Sequence, residues 1–280
     1  MIIMTLTEHI NLALREDIRE EDHSSASCIP QDAQSAAVLI AKQEGILAGV
    51  EVAREVFKQV DSELKFEALM EDGDTLNLKD RVFTVKGSAR SILKGERLAL
   101  NYLQRMSGIA THTHSYVELV KGTKAKILDT RKTTPGMRLF EKAAVKIGGG
   151  ENHRMGLYDM VMLKDNHIDF AGGIDEAMDA TESYLNAKGL NLKVEVEARD
   201  LEEVAAILKN GKADRVMFDN FNYEDTRKGV ELVAGRMEIE SSGGINLNTV
   251  KGYAECGVDF ISVGALTHQI KALDLSLIAD

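Results

Sequence analysis

The sequence predicts an α/β protein in two parts: a mixed α+β module over roughly residues 1–108, then a series of β–α units that closes, or nearly closes, into a parallel barrel. Three observations predict it. Six short apolar runs recur after residue 126, and the gaps between them, about 21–34 residues, each hold a helix and two turns. The first hundred residues show strands and helices without that rhythm. A long segment of helical periodicity, about residues 92–121, stands between the two patterns. Six units fall short of the eight of a full barrel, so the barrel is incomplete or hides further strands.

In chain order, residues 5–20 read as a helix, and Val38–Leu47, Lys65–Met70 and Arg81–Lys86 as strands, with a helix near 50–60. Glu71-Asp72-Gly73-Asp74 is a turn signal between two of those strands. Leu93, Leu98, Leu100, Leu103, Met106 and Ile109 mark the apolar stripe of the long helix, and the division between the two parts falls in or near it. The barrel runs are Ile127-Leu128, Val161–Leu163, Val194–Val196, Val216–Phe218, Ile239 and Phe260–Val263. Asp200-Leu201-Glu202-Glu203 has capping-box spacing, Pro135 suits a first helical turn, and Gly189 and Gly211 suit helix ends.

Composition excludes several classes. With 280 residues, 44% hydrophobic and 28% charged, the chain has the balance of a globular protein. No apolar run reaches the roughly 18–20 residues of a membrane span. Met1-Ile2-Ile3-Met4 lacks the basic start of a secretory signal. Cys28 and Cys256 form no C-x-x-C pattern and read as structural thiols of a reducing, cytoplasmic compartment. A net charge of −11 argues against nucleic acid as a partner. Residues 129–167 go against that balance, with Arg131, Lys132, Arg138, Lys142, Lys146, Arg154 and Lys164 facing five acids. A locally basic stretch in an acidic chain suits a small anionic ligand. Lys142 and Lys146 read instead as solvated charges on a helix face.

The chemistry gathers at the strand ends. The six runs finish in Asp129–Lys132, Lys164–His167, Glu195-Val196-Glu197, Asp219-Asn220, Ser241–Gly244 and Gly264-Ala265. Loops leaving the C-terminal ends of barrel strands converge on one face, so these endings predict one site. Ser242-Gly243-Gly244 and Val263-Gly264-Ala265 suit a phosphate, because glycines let backbone N–H groups approach closely. Arg131 can grip a carboxylate or phosphate bidentately, and Lys132 adds a point charge. Gly148-Gly149-Gly150 costs entropy on folding and implies an unusual turn or close approach, which draws His153 and Arg154 after it toward the site. Glu195 and Glu197 share one face of their strand and need a cation, a metal or a ribose hydroxyl inside a barrel. His112 and His114 read as structural.

Together these stretches resemble the quinolinate phosphoribosyltransferases. The matching segments are ERLALNYLQRMSGIAT at 96–111, LDTRKTTPGMR at 128–138, GGGENHRMGLYDMVMLKDNHI at 148–168, VEVEARDLEE at 194–203 and FDNF at 218–221, followed by ESSGGINLNTV and GVDFISVGALTH. The resemblance covers nearly all of 90–270 and is looser before that. It implies an N-terminal α/β sandwich domain over 1–108 and an incomplete TIM-like α/β barrel over 109–280, with room for the last residues to pack back on the first domain. It implies transfer of phosphoribosyl from phosphoribosyl pyrophosphate to quinolinate with loss of carbon dioxide, giving nicotinate mononucleotide for NAD synthesis, with Mg²⁺ as cofactor. It further implies that Arg131, His153, Arg154 and Lys164 bind the quinolinate carboxylates, with the Thr130–Lys132 loop. Lys132 serves the diacid or the pyrophosphate. Glu197 and Asp219 hold ribose hydroxyls and metal, and Lys132, Glu197 and Asp219 form the catalytic set. Ser242, Gly243, Gly244, Val263, Gly264 and Ala265 hold the 5′-phosphate. Arg105 reaches the neighbouring subunit's site, which makes a homodimer the smallest active unit. Glu197 is preferred to Glu195 from its place in the matched motif, not from spacing.

Three other readings stay open at this point: a phosphosugar lyase or aldolase with a Schiff base at Lys164, a silent phosphometabolite sensor, and a sister enzyme acting on nicotinate.

Overall fold

Capping and periodicity start the fold. In the computed structural model, which describes residues 5–279, Thr5 caps α1 (Leu6–Ile18) through a reciprocal capping box with Glu8. The Met1–Met4 segment, read above as no secretory signal, lies outside the described residues. Asp22 caps α2 (His23–Cys28). Then come β1 (Gln34–Ala41), β2 (Gly45–Ile46), α3 (Val50–Val60), β3 (Lys65–Ala68), β4 (Thr75–Leu76), β5 (Arg81–Ser88) and the long α4 (Ala89–Val120). The barrel series is β6 (Lys126–Leu128), α5 (Arg138–Ile147), β7 (Val161–Leu163), α6 (Asp165–Ala171), α7 (Ile174–Lys188) and β8 (Val194–Ala198). It continues with α8 (Leu201–Asn210), β9 (Arg215–Asp219), α9 (Tyr223–Val233), β10 (Glu238–Ser242), α10 (Val250–Glu255), β11 (Phe260–Ser262) and α11 (Ala265–His268), and β12 (Leu275–Ala279) ends the order.

The chain divides into two compact units. Among the described residues, one comprises 5–112, 139–148 and 270–279, and the other 113–138 and 149–269. In the first, an antiparallel sheet runs in the order β12-β1-β5-β3. Phe57, Phe83, Leu39 and Leu103 are buried in its core, and the Phe66 and Phe83 rings lie 4.4 Å apart. Burying such side chains is worth roughly 1.5–3 kcal/mol each. The Val38–Leu47 strand of the sequence reading is two strands, β1 and β2, separated by a turn. α5 belongs to this unit, and Lys142 on it is only 1% exposed. That corrects the reading of Lys142 as a solvated charge: α5 turns this lysine inward beside the equally buried Glu141. Lys146, by contrast, is exposed.

In the second unit, six parallel strands lie in the order β6-β11-β10-β9-β8-β7. The first strand of the series pairs with the last, as in a barrel whose seam lies between the first strand and the second. Glu151 forms a single parallel bridge with Leu128 on the free side of β6. Among the described residues, this is the one trace of a further strand. Side chains reach across the interior: His153, just past that bridge, touches Glu195 on β8 and Glu240 on β10. The sheet is thus curled into an incomplete barrel. No described helix is long and apolar enough to cross a membrane. Both cysteines are free thiols, Cys28 exposed and Cys256 buried.

Candidate active site

The second unit brings the strand endings together on one face. Past β6, Asp129 is fully buried and takes the Asn152 amide on Oδ2 and the His153 backbone N–H on Oδ1, at 2.9 Å. It thereby ties the excursion of residues 151–154 to the end of β6. The triple glycine supplies the turn into that excursion, with Gly149 at φ +90°. The Thr130–Lys132 loop turns tightly, the Lys132 N–H donating to Thr130 Oγ1 at 3.0 Å. Arg138 braces it by donating to Thr133 Oγ1 and to the Met155 carbonyl. Arg131 and Lys132 are left exposed.

Arg154 is half-buried and donates to the Met160 carbonyl at 3.2 Å. Burial lowers its pKa, and the nearby positive charge of Arg131 lowers it further. Two guanidinium groups held close together form a receptor for a dianion.

Lys164 ends β7, and its Nζ lies 2.6 Å from Glu197 Oε2. This contact joins one residue assigned to the diacid with one assigned to the ribose, so the two halves of the expected site meet here. A Schiff base at Lys164 would require the amine to leave that carboxylate, which weakens the aldolase reading. Asp219 ends β9 and receives the amide of Asn220 at 2.8 Å. Asn220 has φ +57° and its N–H donates to the Ser242 carbonyl. Gly243, at φ +95°, lies so close that a Cβ there would fall 2.2 Å from Asn220 Oδ1. Only glycine fits this turn. Gly244 also has positive φ, at +62°. The Val263 N–H donates to the Leu128 carbonyl, which places the Gly264-Ala265 turn beside the Thr130–Lys132 loop. A Cβ on Gly264 would stand 3.0 Å from Lys132 Cδ, and Thr267 Oγ1 donates to the Lys132 carbonyl. Lys132 therefore lies against the second glycine turn.

Beneath this face lies a charged interior. Glu195 is fully buried, while Glu197, also buried, pairs with the partly exposed Lys164, so the two acids of one strand face occupy different depths. His153 Nε2 is 3.0 Å from Glu195 Oε2 and 3.4 Å from Glu240 Oε2. Arg215 reaches Glu240 at 3.1 Å and Glu238 at 3.0 Å, with its guanidinium 3.9 Å from the centre of the Phe260 ring. Burial disfavours charge on His153, yet the two carboxylates raise its proton affinity. Burial, together with the charge of Glu240, pushes Glu195 up to about 7. Burial also works to raise Glu240, but His153, Ser262 and Arg215 hold it below the usual carboxylate range. The proton on His153 Nε2 thus lies against Glu195, and Arg215 balances Glu240. The sequence reading missed Arg215 and Glu240. The signal was the alternation Glu238-Ile239-Glu240, which repeats that of Glu195-Val196-Glu197.

His153, Glu195 and Glu240 could by proximity hold a cation, their ligand atoms lying within 4.8 Å of one another. The imidazole argues against it. Its Nδ1 accepts the Arg154 N–H at 2.7 Å, so the ring proton sits on Nε2, where a metal would need the lone pair. Glu197 and Asp219, on adjacent strands, offer the hard carboxylate oxygens that a divalent cation such as Mg²⁺ takes.

Arg105 lies on α4 in the first unit, where Nε donates to Glu141 Oε1 at 2.9 Å and Nη2 pairs with the same oxygen. In that unit His112 is half-buried and loses proton affinity through burial. His114, in the second unit, is exposed.

Comparison with known proteins identifies the family and the fold. Residues 22–107 match the model of the quinolinate phosphoribosyl transferase N-terminal domain, and residues 109–278 that of the C-terminal domain. A chloroplastic carboxylating nicotinate-nucleotide pyrophosphorylase of Oryza sativa subsp. japonica is 46% identical over 97% of this chain and 76% of its own. A probable carboxylating nicotinate-nucleotide pyrophosphorylase of Bacillus subtilis is 39% identical, over 98% of this chain and 93% of its own. The crystal structure of NadC from Streptococcus pyogenes superposes with a TM-score of 0.93 at 40% identity and covers the whole of both chains.

Proposed function

The chain belongs to the quinolinate phosphoribosyltransferase family and is a phosphoribosyltransferase that takes quinolinate with loss of carbon dioxide; we propose how its residues divide that work. One observation carries the proposal. Arg131, Arg154 and Lys164 stand with the two glycine turns on the C-terminal face of one parallel sheet, and Lys164 is in contact with Glu197.

Arg131, Arg154 and Lys164 take the two carboxylates of quinolinate, supported by the Thr130–Lys132 loop. Ser242–Gly244 and Val263–Ala265 take the 5′-phosphate of phosphoribosyl pyrophosphate. Lys132, lying against Gly264, serves the phosphate and pyrophosphate side. Glu197 and Asp219 face the ribose. As the C1–pyrophosphate bond breaks, positive charge grows on the sugar, and these carboxylates stabilise it. Mg²⁺, held by Glu197 and Asp219 together with substrate oxygens, would neutralise charge on the departing pyrophosphate. Once the pyridine nitrogen is bonded to C1, the ring is cationic. The electron pair that the departing carbon dioxide leaves on the ring carbon is stabilised by the adjacent cationic nitrogen, and a proton taken up at that carbon completes the product. Positioning is then the protein's main contribution to the second step.

Arg105 completes the site of a neighbouring copy, so the enzyme works as a dimer. The two free cysteines suit a reducing, cytoplasmic setting.

The test mixes purified protein with quinolinate, phosphoribosyl pyrophosphate and Mg²⁺ and follows nicotinate mononucleotide and carbon dioxide. Equimolar release of both is expected. Turnover of nicotinate in place of quinolinate would sink the assignment.

A further inference from the structure

We propose that His153 does not touch the diacid, and that the buried cluster His153–Glu195–Glu240–Arg215 is instead a positioning device that fixes the backbone at Arg154. The inference rests on the reading of residues 129–164 as the diacid half of the site, and it reassigns one residue within it.

Hydrogen-bond valence carries the argument. An imidazole has two ring nitrogens. At His153, Nδ1 accepts the Arg154 N–H at 2.7 Å. Nε2 points into the barrel interior between Glu195 and Glu240, at 3.0 and 3.4 Å, and the whole residue is only 7% exposed. In this pose the Nε2–H is sealed inside the barrel, out of reach of a substrate carboxylate. A substrate anion at Nε2 would also have to enter a space already holding two carboxyl groups.

The same bonds define what the ring does. The backbone on either side of it is fixed twice, by Asp129 at the His153 N–H and by Nδ1 at the Arg154 N–H. The ring itself is anchored through Glu240 to Arg215, which also forms an ion pair with Glu238 at the start of β10. A continuous chain of polar contacts therefore runs from the opposite end of the barrel to the backbone that carries Arg154. Such an anchor is needed because Arg154 is partly buried near Arg131, a like charge that would drive it away in the absence of substrate. Holding both cations in place beforehand lowers the ordering cost of binding a dianion.

Amide substitutions at His153 separate the two roles. His153→Asn places an oxygen where Nδ1 accepts, and His153→Gln extends its amide toward Nε2. Positioning predicts that His153→Asn, which keeps the acceptor but loses the anchor at Glu240, raises the KM for quinolinate only several-fold, as Glu240→Gln does, while His153→Gln, which loses the acceptor, raises it by at least about tenfold, a hydrogen bond's worth. Glu240→Gln, a neutral isostere remote from substrate, should raise that KM several-fold and leave the KM for phosphoribosyl pyrophosphate and the Tm nearly unchanged. The reverse order of the two His153 variants would overturn the proposal. So would a Glu240→Gln enzyme with unaltered quinolinate KM, or with equal losses for both substrates. A readout free of turnover is ¹⁵N NMR of the histidine ring nitrogens. The expected ring is protonated at Nε2 only, and keeps that tautomer when quinolinate is added. A proton on Nδ1, or a tautomer change on adding quinolinate, would also overturn the proposal. Failure of the wild-type protein to turn over quinolinate would instead strike the underlying assignment, and the ring tautomer would still decide the role of His153.

Discussion

Arg131 and Lys164 illustrate how a single charge acts at this site. Each charge-assisted contact contributes on the order of 1.5–3 kcal/mol. Arg131→Ala and Lys164→Ala should therefore each raise the KM for quinolinate by roughly 10- to 100-fold, and that for phosphoribosyl pyrophosphate much less. Steady-state kinetics with either substrate varied checks this, and equal losses for both would contradict the division of roles. Lys164 carries a second consequence, since its loss leaves Glu197, only 7% exposed at its side chain, without the contact at 2.6 Å. At this scale part of the site was legible, because charge pattern and strand endings name Arg131, Lys132, Lys164 and Asp219 directly, while Glu197 is preferred to Glu195 only from the matched motif. Depth was not legible. A period of two places Glu195 and Glu197 on one face but cannot say that one faces His153 in the interior and the other pairs with the partly exposed Lys164. Nor does a helix-face pattern reveal that Lys142 is buried, since that depends on what lies against α5.

Elements were read well where their signal is local and poorly where a distant partner makes them. All six barrel strands appear, because each is an apolar run bounded by turn signals. α2 was missed because His23–Cys28 has no apolar periodicity and is held by its Asp22 cap. β12 was missed because Leu275–Ala279 is too short for periodicity to decide, and its extended form depends on pairing with β1. The segment before β12 also dictates a residue on α4. A Cβ on Gly108 would lie 2.3 Å from the Lys271 carbonyl oxygen, a backbone atom that cannot turn aside. Gly108→Ala should cost about 1–3 kcal/mol as an overpacked contact and lower the Tm by several degrees. Thermal unfolding is the measurement, and an unchanged Tm would mean that residues 270–272 can shift freely. Nothing in the sequence distinguishes Gly108 from an ordinary helix glycine, so this constraint appears only in three dimensions.

For the molecule as a whole, the sequence pattern foretold a mixed module and a parallel barrel, but not that α5 would group with the first unit. If Arg105 serves a neighbour, two inactive proteins should repair each other. Mixing Arg105→Ala with Lys164→Ala subunits should recover up to about one quarter of wild-type activity, since half the dimers are mixed and one of their two sites is intact. No recovery after unfolding and refolding the mixture together would place Arg105 in the site of its own chain. The pairing of β1 with β12 has a separate bearing on how the protein is made. Ala37 lies opposite Ala279, and Ala41 opposite Leu275, so every residue of the second unit separates two neighbouring strands. On the ribosome, β1 must wait with one edge unpaired until the barrel has been synthesised. During that interval its apolar core residues Val38 and Leu39 sit beside unsatisfied backbone groups, a template for any other extended chain. Protection of this strand by a chaperone, or by rapid barrel folding, thus becomes a condition for reaching the native state, and the chain's most vulnerable moment comes before any of its catalytic residues is in place.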